Sequence, residues 1–327
     1  MKRAAILAAM AGLVLVTGPA FAASSCPALR WVTLGTAGGP IPTPERAEPS
    51  NLLIAGEQYI LVDTGDGAVN QLARAGVTQQ RISAVFLSHH HLDHTGGLPA
   101  VIGLRWMNNI PGKLKVYGPP GTREIVDGAL LAMQPQSRVG FGLGAKSPSP
   151  ASSVEVIELT DGAQVEIGGL KVTVTANSHF DHPGPKQADE PLSFSYRFDL
   201  GSRSITYTGD TGPSDAVTRL AKGSDMLVSE VIALEPIIAQ IRASRPDMSD
   251  ELFGQMRKHL STHHITAADI GMMAAKADVK RVVLTHFATP PGPIARFAKP
   301  FRADIAPNYH GPVAIAQDLS SFEVACR

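Results

Sequence analysis

Short apolar runs separated by turn-forming residues recur along the chain from about residue 30 onward. Runs of four to eight residues rich in valine, isoleucine and leucine, bounded by glycine, proline or aspartate, are typical of β-strands. In the first half this pattern predicts strands at Arg30–Leu34, Asn51–Ala55, Gln58–Asp63, Ala84–Ser88 and Lys113–Tyr117. In the second half it predicts strands at Val154–Ile157, Gln164–Ile167, Lys171–Ala176, Ser193–Asp199, Ser204–Thr208, Met226–Ser229 and, as the final strand, Arg281–Thr285.

Between these strands the polar and apolar positions predict helices at Ala68–Ala75, Leu98–Met107, Thr122–Met133, Ser214–Ala221 and Ala267–Ala277. The stretch Ile232–Leu260 is mainly helical in pattern, and the Gly-, Ser- and Pro-rich stretch Gln134–Ser153 is predicted to be a loop. Two strand-rich halves, each flanked by helices, predict two mixed β-sheets packed face to face with helices outside, an αββα sandwich of the α/β class.

The first 22 residues have the layout of a secretory signal peptide. Lys2 and Arg3 precede an apolar run from Ala4 to Val16, and Ala20-Phe21-Ala22 supplies small residues at a cleavage site. An apolar run of this length is too short to span a membrane well. We therefore predict a signal peptide at 1–22, one domain at 23–327 with a helical insertion around 232–262, a periplasmic or secreted location, and no membrane anchor.

The charge balance of the chain bears on the kind of partner it binds. The full chain of 327 residues holds 29 basic and 29 acidic side chains, and the first 22 residues contribute two bases and no acid. This balance lacks the basic excess that binding to a phosphate backbone uses, so it disfavours a polymeric nucleic acid as partner.

The cysteines are Cys26 and Cys326, and a disulfide between them or two free thiols both fit the sequence.

The chemistry is concentrated in Ser88-His89-His90-His91-Leu92-Asp93-His94, directly after a predicted strand. A lone histidine needs no functional explanation, but several imidazoles and a carboxylate on one strand-to-loop turn can point into the same pocket. Neutral imidazoles and carboxylates suit zinc, with bonds of roughly 2.0–2.2 Å. The segment therefore predicts a zinc site.

This segment matches the HxHxDH signature of the metallo-β-lactamase superfamily, and Thr95-Gly96-Gly97 continues the match. Further segments fit the family in the right order: Asn177-Ser178-His179-Phe180, Tyr207-Thr208-Gly209-Asp210-Thr211 and Leu284-Thr285-His286-Phe287. Together with Ser193-Phe194-Ser195-Tyr196-Arg197-Phe198, the segment His264-Ile265-Thr266-Ala267 resembles the ribonuclease Z and arylsulfatase branch of that superfamily.

The resemblance implies a dinuclear metal site. It places one zinc ion on His89, His91 and His179 and the other on Asp93, His94 and His286, with Asp210 bridging the two. Two such ions can share a water, lower its pKa and polarise the oxygen under attack. Mn²⁺ or Fe²⁺ could also occupy sites of mixed nitrogen and oxygen ligands.

The resemblance also implies catalytic roles. Asp93 would orient the attacking water as general base, and His264 would stabilise or protonate the leaving group with Glu230 as its partner. Glu230 fits equally well as a surface acid at a strand end. His182 competes with His179 as ligand and His263 competes with His264, while Asp63 is expected to support a ligand histidine or to form a turn.

We therefore predict a secreted, zinc-dependent hydrolase of small phosphodiesters or sulfate esters, resembling phosphodiesterases, arylsulfatases and ribonuclease Z. Transfer-RNA-processing members carry a His-Glu pair where this chain has Ser229, and a periplasmic address would separate the protein from such RNA, so we expect a small-molecule substrate. The sequence is also compatible with a homodimer.

Two alternative functions are less favoured. A β-lactamase or lactonase is disfavoured because Phe180-Asp181-His182-Pro183 follows His179. A non-catalytic metal-binding protein is disfavoured because no ligand is missing.

Overall fold

The computed structural model describes residues 26–139, 148–182, 184 and 190–326. The predicted signal peptide lies outside these residues. The strands are β1 Leu29–Gly35, β2 Ser50–Ala55, β3 Gln58–Thr64, β4 Ile82–Phe86, β5 Leu114–Gly118, β6 Val154–Glu158, β7 Gln164–Ile167, β8 Leu170–Ala176, β9 Phe194–Leu200, β10 Arg203–Tyr207, β11 Met226–Ile232, β12 Val282–Ala288, β13 Val313–Ile315 and β14 Ser320–Glu323.

Helices lie between these strands and mostly cover the outer faces of the sheets. They are α1 Ala68–Arg74, α2 Leu92–Thr95, α3 Leu98–Met107, α4 Thr122–Ala132, α5 Gln134–Ser137, α6 Asp215–Leu220, α7 Leu234–Ser244, α8 Asp250–His263, α9 Ala267–Lys276 and α10 Ala295–Ile305. None of these described helices is both long and apolar enough to cross a membrane.

The strands within the described ranges form two sheets of seven with the same succession of pairings. One has the order β14-β1-β2-β3-β4-β5-β6 and the other β7-β8-β9-β10-β11-β12-β13. In each sheet the first three pairings are antiparallel and the last three are parallel. The predicted αββα sandwich of two mixed sheets is confirmed.

Aromatic side chains fill the space between the two sheets. Trp31 of the first sheet packs against Tyr207 and Phe198 of the second, with ring centroids 5.3 and 6.0 Å apart. Phe86 meets Tyr196 edge-on at 5.4 Å. Large rings bury much apolar surface and prefer tilted or edge-to-face contacts, so these contacts fix how the sheets sit on one another.

Two further apolar clusters lie on the outer faces of the sheets. Trp106 of α3 and Val126 of α4 pack on the first sheet with Val85, whereas Ile270 of α9 and Phe301 of α10 pack on the second. Helices α7 and α8 occupy the stretch for which the sequence predicts a helical insertion. Surface ion pairs join the two helices, between Arg257 and Glu235 and between Arg242 and Asp250. The boundaries of the domain stay a prediction.

The final strands differ from expectation. The sequence predicts no strand after Arg281–Thr285, yet the structure has β13 and β14 beyond it. β14 returns to the first sheet and pairs with β1. Both are short and only partly buried, and β14 consists of Ser-Ser-Phe-Glu, so the apolar signal is weak.

The stretch Gln134–Ser153, predicted as a loop, contains α5 and a 3₁₀ turn at Pro150–Ser153 in its described parts.

A disulfide joins Cys26 to Cys326 beside this β1–β14 pair. Of the two states that the sequence left open, the structure has the bonded one. Arg203 reinforces the junction by donating to the carbonyl oxygens of Val324 and Pro27. Both ends of the described chain are therefore fastened to the same edge of the first sheet.

Candidate metal centre

The carboxyl ends of parallel strands in both sheets converge on one cluster of imidazoles and carboxylates. The turn after β4 carries His89 and His91, and α2 carries Asp93 and His94. From the second sheet, Asp210 follows β10, and β12 carries His286. Loops at the carboxyl ends of strands are the usual place for sites in sheets of this kind.

Three histidines form the first donor group. Nδ1 of His91 lies 3.0 Å from Nε2 of His89 and 3.2 Å from Nε2 of His179. Nitrogen ligands at roughly 2.05 Å from a tetrahedral zinc ion would be about 3.3 Å apart. The three nitrogens are therefore spaced as ligands of one ion are spaced.

The second donor group consists of Asp93, His94 and His286. Nε2 of His94 lies 3.2 Å from Nε2 of His286. Oδ2 of Asp93 lies 3.6 Å from the first of these nitrogens and 3.7 Å from the second. His94 and His286 are buried, and Asp93 keeps a small exposed fraction.

Asp210 stands between the two groups. Its Oδ2 lies 4.0 Å from Nε2 of His89 and of His179, whereas its Oδ1 lies 3.2 Å from Nε2 of His94 and 3.1 Å from Nε2 of His286. Oδ1 is buried and, among the described residues, has no hydrogen-bond partner of normal geometry. A buried carboxylate oxygen left in this way fits contact with a cation.

The electrostatics of the cluster also fit a cation. Burial lowers the pKa of His179 to about 3, so this imidazole is neutral at pH 7. Burial acts against ionisation of Asp93, but a hydrogen bond with His286 and the nearby His94 lower the pKa of this carboxyl to about 2. Burial also disfavours a charged His94, yet the carboxylates of Asp210 and Asp63 raise the pKa of this imidazole well above its usual range. The carboxylates of Asp210 and Asp63 therefore favour a positive charge at His94. Metals bind a neutral imidazole beside ionised carboxylates, so a metal ion can supply that positive charge in place of the proton.

Asp63 supports the cluster from the end of β3. Its Oδ2 lies 2.9 Å from Nδ1 of His94 and accepts hydrogen bonds from the hydroxyls of Ser88 at 2.8 Å and Tyr207 at 2.7 Å. Its Oδ1 accepts the Ser88 N–H at 2.7 Å. The expected contact between Asp63 and a histidine of the cluster is present, and it leaves the far nitrogen of His94 to face the donors.

A β-bulge directs His286 into the cluster. Between β11 and β12 the register shifts, so that Glu230 alone stands opposite Thr285 and His286. His286 has φ +40°, a left-handed conformation that is uncommon for residues other than glycine. Bulges beside functional sites commonly re-aim a side chain in this way.

His264 and Glu230 form a pair at the edge of the cluster. Nδ1 of His264 lies 2.8 Å from Oε2 of Glu230, and Oε1 of Glu230 accepts the N–H of Thr211. Burial opposes charge on His264, but the Glu230 carboxylate raises the pKa of this imidazole to about 9. Glu230 is fully buried, so the alternative of a surface acid is wrong.

The other histidines have separate surroundings. His90 points away from the cluster, with Nε2 3.0 Å from the Thr122 hydroxyl oxygen, and His182 pairs with Glu190 at 2.8 Å. His263 offers its carbonyl oxygen to Nδ1 of His179. His259 and His310 are exposed. The structure therefore brings His179 and His264 to the cluster rather than their rivals.

Sequence reasoning missed several neighbours of the cluster. The N–H of Gly39 donates to Oδ2 of Asp93 at 3.1 Å, and a side chain at this glycine would collide with that carboxylate. Ser88 and Tyr207 hold Asp63. The Gly38-Gly39 pair was the one available signal, because adjacent glycines often mark a close approach of backbone to another group.

Comparison with known proteins agrees with this geometry. The family model described as "Beta-lactamase superfamily domain" matches residues 58–287. Proteins named ribonuclease Z are 31% identical over 300 residues in Mycobacterium bovis and 33% identical over 301 residues in Mycobacterium marinum. Each alignment covers 90% of this chain and 98% or 99% of the relative. A metallo-beta-lactamase fold protein from Bacillus subtilis superimposes with a TM-score of 0.66 at 19% identity, covering 91% of this chain and all of that one.

Fold and site thus define a metal-dependent hydrolase, and the fold implies a divalent metal, typically zinc. The chain belongs to the metallo-β-lactamase superfamily, as a ribonuclease Z-like protein.

Two sequence-based expectations are corrected by these relatives. The interpretation as a hydrolase of small phosphodiesters or sulfate esters is wrong, because relatives that align along almost their full length are named for a ribonuclease activity. The expectation that nucleic acid is not a partner is wrong for the same reason. It rested on the net charge of the whole chain, on Ser229 and on the predicted periplasmic address. A phosphate group responds to the charge at the site, where the fold implies a divalent metal, rather than to the net charge of the chain.

We expect Asp63→Asn to weaken zinc affinity by about 10–100-fold, because an amide nitrogen cannot accept the hydrogen bonds that orient His94 and Ser88. Asp63 has φ +58°, which asparagine also tolerates, so the backbone is not strained by the change. Competition with a chromophoric chelator measures the affinity. The exposed Asp278, with φ +53°, provides the matched control Asp278→Asn, and equal zinc affinity in both variants and wild type would contradict the role of Asp63.

Proposed function

We propose that the protein hydrolyses phosphodiester bonds in RNA with two zinc ions. The observation that carries this proposal is the meeting of two donor groups at Asp210, whose Oδ2 faces the histidine group and whose Oδ1 faces the Asp93 group. The names of the aligned ribonuclease Z relatives support RNA as the substrate class.

In this proposal one zinc ion is held by His89, His91 and His179. The other would be held by Asp93, His94 and His286, and Asp210, which lies between the two groups, would contribute its carboxylate to the site. Two bound zinc ions would polarise a phosphoryl oxygen and lower the pKa of a water between them.

The side chains around the cluster would divide the remaining work. Asp93 retains some exposure to solvent, and its ionised carboxylate can orient the attacking water and accept its proton. His264 directs Nδ1 at Glu230, which leaves Nε2 as the nitrogen available to the substrate. With its pKa raised to about 9, His264 carries a proton at neutral pH and can donate it to the leaving oxygen.

The proposal is tested with end-labelled RNAs, including a transfer RNA precursor, and DNAs of the same sequences. We expect RNA cleavage that disappears on chelation and returns with about two equivalents of zinc per chain. His89→Ala should lose both zinc and cleavage, while His90→Ala, which changes the neighbour facing Thr122, should keep both. Intact RNA in the presence of zinc, alongside turnover of an aryl sulfate, a lactone or a cephalosporin, would refute the proposal.

The role of His264 separates proton donation from metal binding. His264→Ala should keep both zinc ions yet lose about 10²–10⁴-fold in turnover. The loss should shrink for a substrate with a good leaving group, such as a bis-aryl phosphodiester, because such a group needs little protonation. Turnover and zinc content are measured on the same preparation.

His263→Ala is the matched control, because its contact with His179 uses the backbone carbonyl oxygen and survives the change. It should retain nearly full turnover. Equal losses from the two variants, or zinc loss in His264→Ala, would show that His264 does not act on the leaving group.

We also propose that residues 1–22 export the chain. The basic start, the apolar run and the Ala20-Phe21-Ala22 site support this, and so does the Cys26–Cys326 disulfide, since such bonds persist mainly in oxidising compartments.

Mass spectrometry of fractionated cells checks the export proposal. We expect a periplasmic or extracellular chain that begins near residue 23 and has no free thiol. A full-length cytoplasmic form with two free thiols would contradict the export proposal.

A further inference from the structure

Asp318 is a partly buried carboxylate that accepts several hydrogen bonds at once. It lies between β13 and β14, where the chain returns to the first sheet. Its Oδ1 accepts the N–H of Thr36 at 3.0 Å and the hydroxyl of the same residue at 2.7 Å. Its Oδ2 accepts the N–H of Ala47 and the side-chain amide of Gln71, each at 2.8 Å.

Two of these donors stand at the two ends of one loop. Residues 36–47, here called the diglycine loop, form most of the connection between β1 and β2. The N–H of Ala37 also donates to the carbonyl of Ala47 at 3.0 Å, which closes the loop at its base. Asp318 therefore clasps the base of the diglycine loop.

The tip of the diglycine loop reaches the metal centre. Gly39 donates its N–H to Oδ2 of Asp93, and Gly38 donates its N–H to the carbonyl of Phe287, the residue after His286. The loop thus contacts one residue of the proposed second zinc site directly and the backbone beside another. Asp318 itself touches none of the proposed zinc ligands through the contacts described here.

We propose that Asp318 is a positioning residue for the hydrolysis: it holds the diglycine loop so that the Gly39 N–H orients the carboxylate of Asp93. The proposal rests on the proposed function. Asp93 is there both a zinc ligand and the group that orients water, so a small rotation of its carboxylate costs turnover more than it costs substrate binding.

Asp318→Asn tests the clasp with little change in volume. An amide offers one acceptor oxygen in place of two, so the Thr36 pair or the Ala47–Gln71 pair of donors would lose its acceptor. We expect kcat to fall about 10–100-fold with KM nearly unchanged, on RNA and on a bis-aryl phosphodiester alike. Asp225→Asn is the matched control: Asp225 is a buried carboxylate that accepts the Ser204 N–H at 2.9 Å, at the opposite ends of the strands.

A double-mutant cycle with Gly39→Ala distinguishes positioning from a general loss of stability. Both changes are expected to displace Asp93 through the same loop, so their combined loss in kcat should be smaller than the product of the single losses. Multiplicative losses, or a folded Asp318→Asn with wild-type kcat, would overturn the proposal.

Two further measurements keep the outcomes separate. If Asp318→Asn does not fold, Thr36→Val removes one donor with little change in shape, and it should lower kcat in the same direction by a smaller factor. Unchanged kcat in that variant would then overturn the proposal. If the wild-type protein cleaves bis-aryl phosphodiester but not RNA, the proposed substrate fails, while the kcat ratios of the variants still decide the role of Asp318.

Discussion

A fully buried carboxylate at the seam of the two sheets, that of Asp63, is the contact on which the site depends. Its charge is satisfied by Ser88 from the turn after β4 and by Tyr207 from β10, so each sheet contributes a donor. The third partner is His94. Leaving buried acceptors of this kind unpaired costs about 1–3 kcal/mol, and more for charged groups. The arrangement that best satisfies Asp63 also fixes the distance between the sheets and the direction in which His94 faces.

The repeated succession of strand pairings explains why the site lies at that seam. Each sheet changes from antiparallel to parallel pairing, and the carboxyl ends of the parallel strands meet along one edge of the sandwich. The first sheet supplies His89 and the second supplies Asp210 and His286. Neither half of the chain holds both donor groups. The bulge at His286 is a local departure from regular pairing that directs this side chain to the donors, and a register shift between β2 and β3 falls at Asp63.

The sequence predicted most where the signal was local. Strands and helices followed from apolar periodicity, and the density of donors after β4 indicated a metal site before any resemblance was invoked. His179, Asp210 and His286, which lie far apart along the chain, could be assigned only through the family signature. Gly39, Tyr207 and Asp318 stayed hidden because their contacts join residues 54 to 282 positions apart. The substrate class was wrong because it was inferred from net charge, Ser229 and the predicted address, and net charge describes the whole chain rather than its active site.

The return of β14 to the first sheet has a consequence for the order in which the protein is made. Arg30 of β1 and Glu323 of β14 are partners although 293 positions separate them along the chain, so β1 meets this neighbour only after β14 has been synthesised. The first sheet and the base of the diglycine loop are therefore completed only after residues 318–323 have been synthesised. Pairings between such distant segments form slowly, since a long loop has to be closed. A truncation that removes Ser320–Glu323 would leave β1 as an unpaired edge strand of the first sheet.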